Sequence, residues 1–130
     1  MDSPHLRNKR SIARLLGELA EGGPSGRQAR LESLYAPGAQ WRGSHPINEL
    51  SGAEAIGAQV WGPLHHAFPD LERRDLILTG GSYQGRDYVA TVGHYLGTFR
   101  NDWLTIPATG RPVFLRYGEV HQVVDGRIVQ

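Results

Sequence analysis

Hydrophobic and polar residues alternate most cleanly from Arg111 to Gln130, RPVFLRYGEVHQVVDGRIVQ. Strand side chains point to opposite faces in turn, so one face takes Val113, Leu115, Tyr117, Glu119, His121 and Val123. The other takes Phe114, Arg116, Gly118, Val120, Gln122 and Val124. Asp125-Gly126 reads as the turn into a further strand. The first face is apolar at both ends and polar in its middle. Neighbours on one face lie about 7 Å apart, so the tips of Tyr117, Glu119 and His121 can converge on one small molecule. A carboxylate and an imidazole on an apolar wall are costly to bury unless they are paired or used. The pattern therefore predicts a pocket wall. The competing reading is an ordinary face turned to water.

The rest of the chain supplies what such a wall needs. Residues 1–10 are polar and expected to fray, leaving 11–130 as the folded domain. Ser11 is placed to cap a helix through Ile12, Leu15, Leu16 and Leu19, which recur at helical spacing. The glycines and proline at 22–26 end it, and a short helix from Gln28 to Tyr35 follows. Ala39 to His45 alternates as a half-buried strand, and His45-Pro46-Ile47-Asn48 reads as a stiff turn. Ile56, Val60, Leu64 and Phe68 repeat every fourth position, predicting a helix from Ser51 or Gly52 through Phe68 that Pro63 bends or interrupts. Trp61 and His65 lie beside that stripe. Strands follow at Leu71–Thr79 and Asp87–Arg100, joined by a hairpin from Gly80-Gly81 through Gly85, and a loop at Asn101–Arg111 leads into the last strand. Helices first, then long hairpin-connected strands, is α+β rather than alternating βαβ. The expected architecture is a cone-like barrel, a curved antiparallel sheet wrapped around a long helix. Gly93, Gly97 and Gly118 inside the strands suit bends or bulges.

Composition removes several function classes. At 130 residues this is one domain. Cysteine is absent, which excludes a disulfide framework, a thiolate nucleophile and a Cys-type zinc site. A reducing cytoplasm is the expected compartment. The formal charge of +1 gives no field to draw nucleic acid. Arg7, Lys9, Arg10, Arg14, Arg27 and Arg30 read as a solvated helix face, because no aromatic residues interleave with them. No apolar run approaches the roughly 20 residues that span a bilayer. His65 and His66 are adjacent on a helix and diverge, so no metal site is expected. The glycine clusters at 22–26 and 80–82 lack the lysine and spacing of a phosphate loop.

Four segments carry a resemblance: Trp41 with Ser44-His45-Pro46-Ile47-Asn48-Glu49-Leu50; Gly93-His94-Tyr95-Leu96-Gly97; Ile106-Pro107-Ala108-Thr109-Gly110-Arg111; and Val124-Asp125-Gly126-Arg127-Ile128. From about Ile12 to Gln130 the chain resembles the SnoaL-like polyketide cyclases, in the superfamily named after nuclear transport factor 2. The resemblance implies a pocket inside an α+β cone, homodimers through the sheet and no metal or organic cofactor. It implies chemistry such as aldol-type cyclisation, isomerisation, epoxide hydrolysis or dehydration, or ligand binding alone. The implied ligand is a small apolar or aromatic molecule, with no nucleic acid and no membrane as partner.

Residues carry over unevenly. The cyclases' strand histidine falls at Tyr95, with His94 one position earlier and so on the other face unless a bulge intervenes. Their second histidine falls at Glu119, with His121 two positions on. Their acid–base aspartate lies beyond Gln130, so the last strand reads as incomplete and the natural protein is expected to continue. Cyclase-like chemistry needs a base beside a carbonyl and a donor for the enolate. Glu119 and His121 are the candidate pair, their pKa values moved toward neutrality by desolvation, with His94 a third candidate and Tyr117 the donor. Trp41, Trp61, Tyr95, Phe99 and Trp103 are the candidate walls, and His45 and Asn48 the mouth. The alternatives are a non-catalytic binding or dimerisation module, or one half of a tandem protein.

Overall fold

The computed structural model describes residues 3–130. Helix α1 spans Pro4–Glu21 and starts well before Ser11. Ser3 is its cap, its hydroxyl accepting from the Leu6 amide at 3.2 Å. Pro4 suits the first turn, where its missing N–H costs nothing. The expected fraying of 1–10 is thus corrected for residues 4–10, and Met1 and Asp2 lie outside the described residues. Ile12, Leu16 and Leu19 form the buried stripe of α1, as the spacing predicts. Helix α2 spans Arg27–Leu34 and buries Leu31 and Leu34.

Strands β1 (Gln40–Arg42) and β2 (Glu49–Ser51) form a two-stranded sheet. Three helical pieces then run on without a break: α3 at Ala53–Ile56, a π-helical turn at Gly57–Trp61 and α4 at Gly62–Ala67. The Gly62 amide bonds to the Gly57 carbonyl. The expected disturbance at Pro63 therefore appears as a widened turn just ahead of it rather than as a break. Gly57 is where α2 packs closest, since a Cβ there would lie 2.6 Å from a methyl of Leu31. The imidazole of His65 locks the helices together. Its Nε2 donates to the Leu19 and Ala20 carbonyls at 3.0 and 3.1 Å, and Arg27 donates to its Nδ1 at 3.1 Å. Burial, above all, holds the His65 pKa below its ordinary value.

The main sheet is antiparallel throughout, in the order β3 (Glu72–Tyr83), β4 (Arg86–Thr98), β5 (Pro112–Val124) and β6 (Arg127–Ile128). Strand β3 runs straight through Gly80-Gly81, so the hairpin is tighter than expected and turns at Gln84-Gly85. The α+β class and the curved sheet on helices hold. The barrel does not: β5 pairs with β6 at Val123 and Val124, Gln122 bonds to Val129 and Gln130 just beyond, and the sheet stays open along β5 before Gln122. A bulge does occur, in β3 between Asp75 and Ile77 and opposite Gly93. Leu71 and Arg73 are buried before it, while Leu78, Gly80 and the adjacent Gly81 are partly shielded after it. One extra residue, Leu76, thus switches which parity of β3 faces the helices. No helix among the described residues is long and apolar enough to cross a membrane.

Candidate functional site

A cavity of about 400 Å³ lies between the inner face of β5, the long helix and β1. Apolar walls come from Trp41, Val60, Trp61, Leu64, Trp103 and Leu115. On β5 the inner face reads as the alternation requires, with Tyr117, Glu119 and His121 all in the lining. Their tips are shielded: the side chains of Glu119 and His121 are 15% and 8% exposed.

Behind the lining sits a residue that the sequence did not mark, Arg73 of β3. Its side chain is 1% exposed. It donates to both oxygens of Glu119, at 3.1 and 2.8 Å, and to the Tyr95 hydroxyl at 2.8 Å. Its Nη2 also lies 3.3 Å from Asp75. The guanidinium stacks over the Tyr117 ring, 4.2 Å from its centroid. Burial works against the Arg73 charge, and the bonds to Glu119 together with the neighbouring phenols outweigh it, so its pKa is raised. Register brings these groups together. Arg73 pairs with Tyr95, Gly93 with Tyr117 and Thr91 with Glu119 across three strands. Gly93 gives the Tyr117 phenol its room, since a Cβ there would sit 2.5 Å from Tyr117 Oη. The phenol crosses β4 and donates to Asp75 at 2.5 Å, and Thr91 donates to the same oxygen at 2.7 Å.

Electrostatics assign the roles. Burial pushes the Glu119 pKa up, but hydrogen bonds from His121 and Arg73 outweigh it and hold the carboxyl at about 2. Glu119 is therefore a carboxylate at neutral pH and a poor base, which corrects the expected move toward neutrality. An ionised carboxylate only accepts, so the 2.9 Å bond between Glu119 and His121 Nε2 places a proton on Nε2. His121 Nδ1 has no hydrogen-bond partner among the described residues. Tyr95 accepts from Arg73, leaving its own hydrogen unspent. Tyr35 does the same, accepting from Trp61 Nε1 at 3.4 Å. Burial chiefly raises the pKa of both phenols, so both stay protonated at neutral pH.

The other sequence candidates divide. Trp41, Trp61, Tyr95 and Trp103 line the cavity. Tyr117 lines it too, but its hydrogen is committed to Asp75, so it is not the expected enolate donor. His94 is on the opposite face of β4 against Phe114, 5.5 Å between ring centroids, because no bulge in β4 shifts its parity. Phe99 is core, stacked on Phe68 at 5.1 Å. His45 and Asn48 are exposed and outside the lining, where their neighbours Ser44 and Ile47 stand. Arg73, Asp75 and Tyr35 were missed. A charged residue at an inward parity of an apolar strand was the one signal for Arg73, and the bulge obscured that parity. Among the described residues no group of His, Cys, Asp and Glu is arranged to hold a metal ion.

Residues 13–130 match the profile of the SnoaL-like domain. In backbone the chain is similar to a proposed SnoaL-like polyketide cyclase from Jannaschia sp. CCS1, with a TM-score of 0.79 and 22% identity over 99% of this chain and 85% of that one. It is also similar to IdmH, a proposed polyketide cyclase from Streptomyces antibioticus, at 0.67 and 28% over 94% and 86%. A third likeness is to a proposed polyketide cyclase from Acidithiobacillus ferrooxidans, at 0.69 and 20% over 98% and 87%. No curated protein matches the chain in sequence.

Proposed function

The chain belongs to the SnoaL-like domain family, and from that premise we propose that it is a cofactor-free acid–base catalyst acting on a small apolar or aromatic carbonyl compound. One observation carries the reading: in one cavity the Nδ1 of an imidazole and the hydrogens of two buried phenols have no partner among the described residues, beside a carboxylate held by a buried guanidinium. His121 Nδ1 takes the proton beside the carbonyl. Glu119 fixes the ring's tautomer and balances the charge it gains, and Arg73 holds Glu119. Tyr95, with Tyr35, donates to the oxygen on which negative charge develops. The tryptophans bracket a flat ring. The polyketide cyclase names of the solved relatives support the substrate class. The protein works in the cytoplasm as a homodimer, paired through the outer sheet face that exposes Phe114 and Val120.

The reaction can be tested without the natural substrate. Proton exchange beside the carbonyl of 2-tetralone in heavy water, followed by NMR, reports the first step alone. The protein is expected to accelerate it, His121→Ala to lose at least about a hundredfold and Tyr95→Phe about tenfold or more. Exchange undiminished in His121→Ala sinks the proposal. The second reading, a non-catalytic binding module, is favoured by the ion pairing of Glu119, which leaves one base rather than two. It predicts bound 2-tetralone with exchange no faster than in buffer.

A further inference from the structure

Between β4 and β5 the chain makes a hairpin that is too tight for its sequence. Trp103 and Ile106 pair across it, each amide donating to the other's carbonyl, at 3.0 and 2.8 Å. The two residues between them, Leu104 and Thr105, stand at φ 48° and 69°. A two-residue turn with both φ positive favours Asn-Gly, because glycine has no Cβ to clash and asparagine tolerates the left-handed region. Leucine and β-branched threonine are strained there. Below this tip the loop is tied down. Gly110 donates to the Phe99 carbonyl at 2.7 Å, Phe99 to that of Arg111 at 3.0 Å, Ala108 to the Asp102 carboxylate at 2.8 Å and the Asn101 side chain to the His66 carbonyl at 2.8 Å. Above that base, residues 103–107 make no hydrogen bond to the rest of the described chain.

Thr105 and Ile106 are exposed, while Trp103 is half-buried and packs on the core, edge-on to Phe68 with 6.1 Å between ring centroids. The same indole lines the cavity, and no other residue of this loop does. One wall of the cavity thus hangs from an exposed, strained turn. Strain held at a site is released when the segment moves. Here release and opening are one event: as Leu104 and Thr105 fall back to negative φ, the Trp103–Ile106 pair breaks and the indole leaves the wall. Building on the cavity's proposed role, we propose that the Trp103–Ile106 hairpin is the door of the cavity, kept easy to open by its two left-handed residues so that an aromatic ligand can enter.

The double variant Leu104→Asn/Thr105→Gly tests this, since it keeps the turn and removes most of its strain. The open tip should become about tenfold rarer, as relief of left-handed strain at two residues implies. The extra freedom that glycine gives the open form works against this and is smaller. Two readouts need no ligand. In hydrogen exchange the Trp103 and Ile106 amides should slow by that factor, while the Phe99 and Gly110 amides at the base exchange as in wild type. Diethyl pyrocarbonate adds an ethoxycarbonyl group to a free imidazole nitrogen and releases carbon dioxide and ethanol. Its reaction with His121, followed by mass spectrometry, should slow by the same factor, and its reaction with the exposed His45 and His66 should not change. Trp103→Ala, which removes the door leaf, should speed the reaction at His121. Equal amide exchange in the double variant and wild type overturns the strained tip. An unchanged rate at His121 in the double variant, or no gain in Trp103→Ala, overturns the door. Either result leaves the role of His121 as base to be decided by 2-tetralone exchange in His121→Ala.

Discussion

Replacing Glu119 with Gln probes the buried ion pair most directly, because Gln is close in shape to the protonated acid. The carboxyl is held at about 2 against an ordinary 4.5. At about 1.4 kcal/mol for each tenfold change in proton affinity, that difference corresponds to about 3 kcal/mol favouring the ionised form in the folded state. The side chain is 15% exposed, so solvent screens little of it. The folded pKa lies below the unfolded one. The contribution is therefore complete above pH 4.5 and is lost as pH falls toward 2. Glu119→Gln should cost about 3 kcal/mol near neutrality, and the gap to wild type should close across that acid window. Urea unfolding followed by tryptophan fluorescence over a pH series measures it. A domain of this size has roughly 5–15 kcal/mol in hand, so the variant should stay folded. Arg73→Met should cost more, about 3–5 kcal/mol, because it strands a buried carboxylate. The double variant should cost clearly less than the two singles added. A gap independent of pH, or strict additivity, would refute the reasoning.

Two further outcomes follow from the packing. The His65 pKa is lowered in the fold, chiefly by burial, so its contribution to stability is complete above pH 6.5 and declines as pH falls from there toward the folded value; thermal unfolding should show that decline, and His65→Gln should flatten it. Gly93→Ala should cost about 2 kcal/mol or more and break the Tyr117–Asp75 bond, since the new Cβ would lie 2.0 Å from the Arg74 carbonyl and 2.5 Å from Tyr117 Oη; a melting temperature equal to wild type would contradict the geometry of that contact.

Much of the candidate site was legible because strand alternation is local. Tyr117, Glu119 and His121 had to share a face whatever the remainder of the chain did, and the apolar residues flanking them made it the buried one. The spacing of Ile12, Leu16 and Leu19 likewise predicted the α1 stripe. The α+β class followed from element order alone.

What the sequence could not supply was every relation between strands. Which strand stands beside β5, in what register, and where a bulge reverses parity are properties of pairing across long sequence separations. Those relations put Arg73 behind Glu119 and turned a presumed base into a fixed anion. They also spent the Tyr117 hydrogen on Asp75, left that of Tyr95 unspent and turned His94 outward. The sequence by itself decided which side chains share a wall. Only the tertiary structure decided their partners, and in a desolvated site the partners determine which groups are charged and which atoms are left to react.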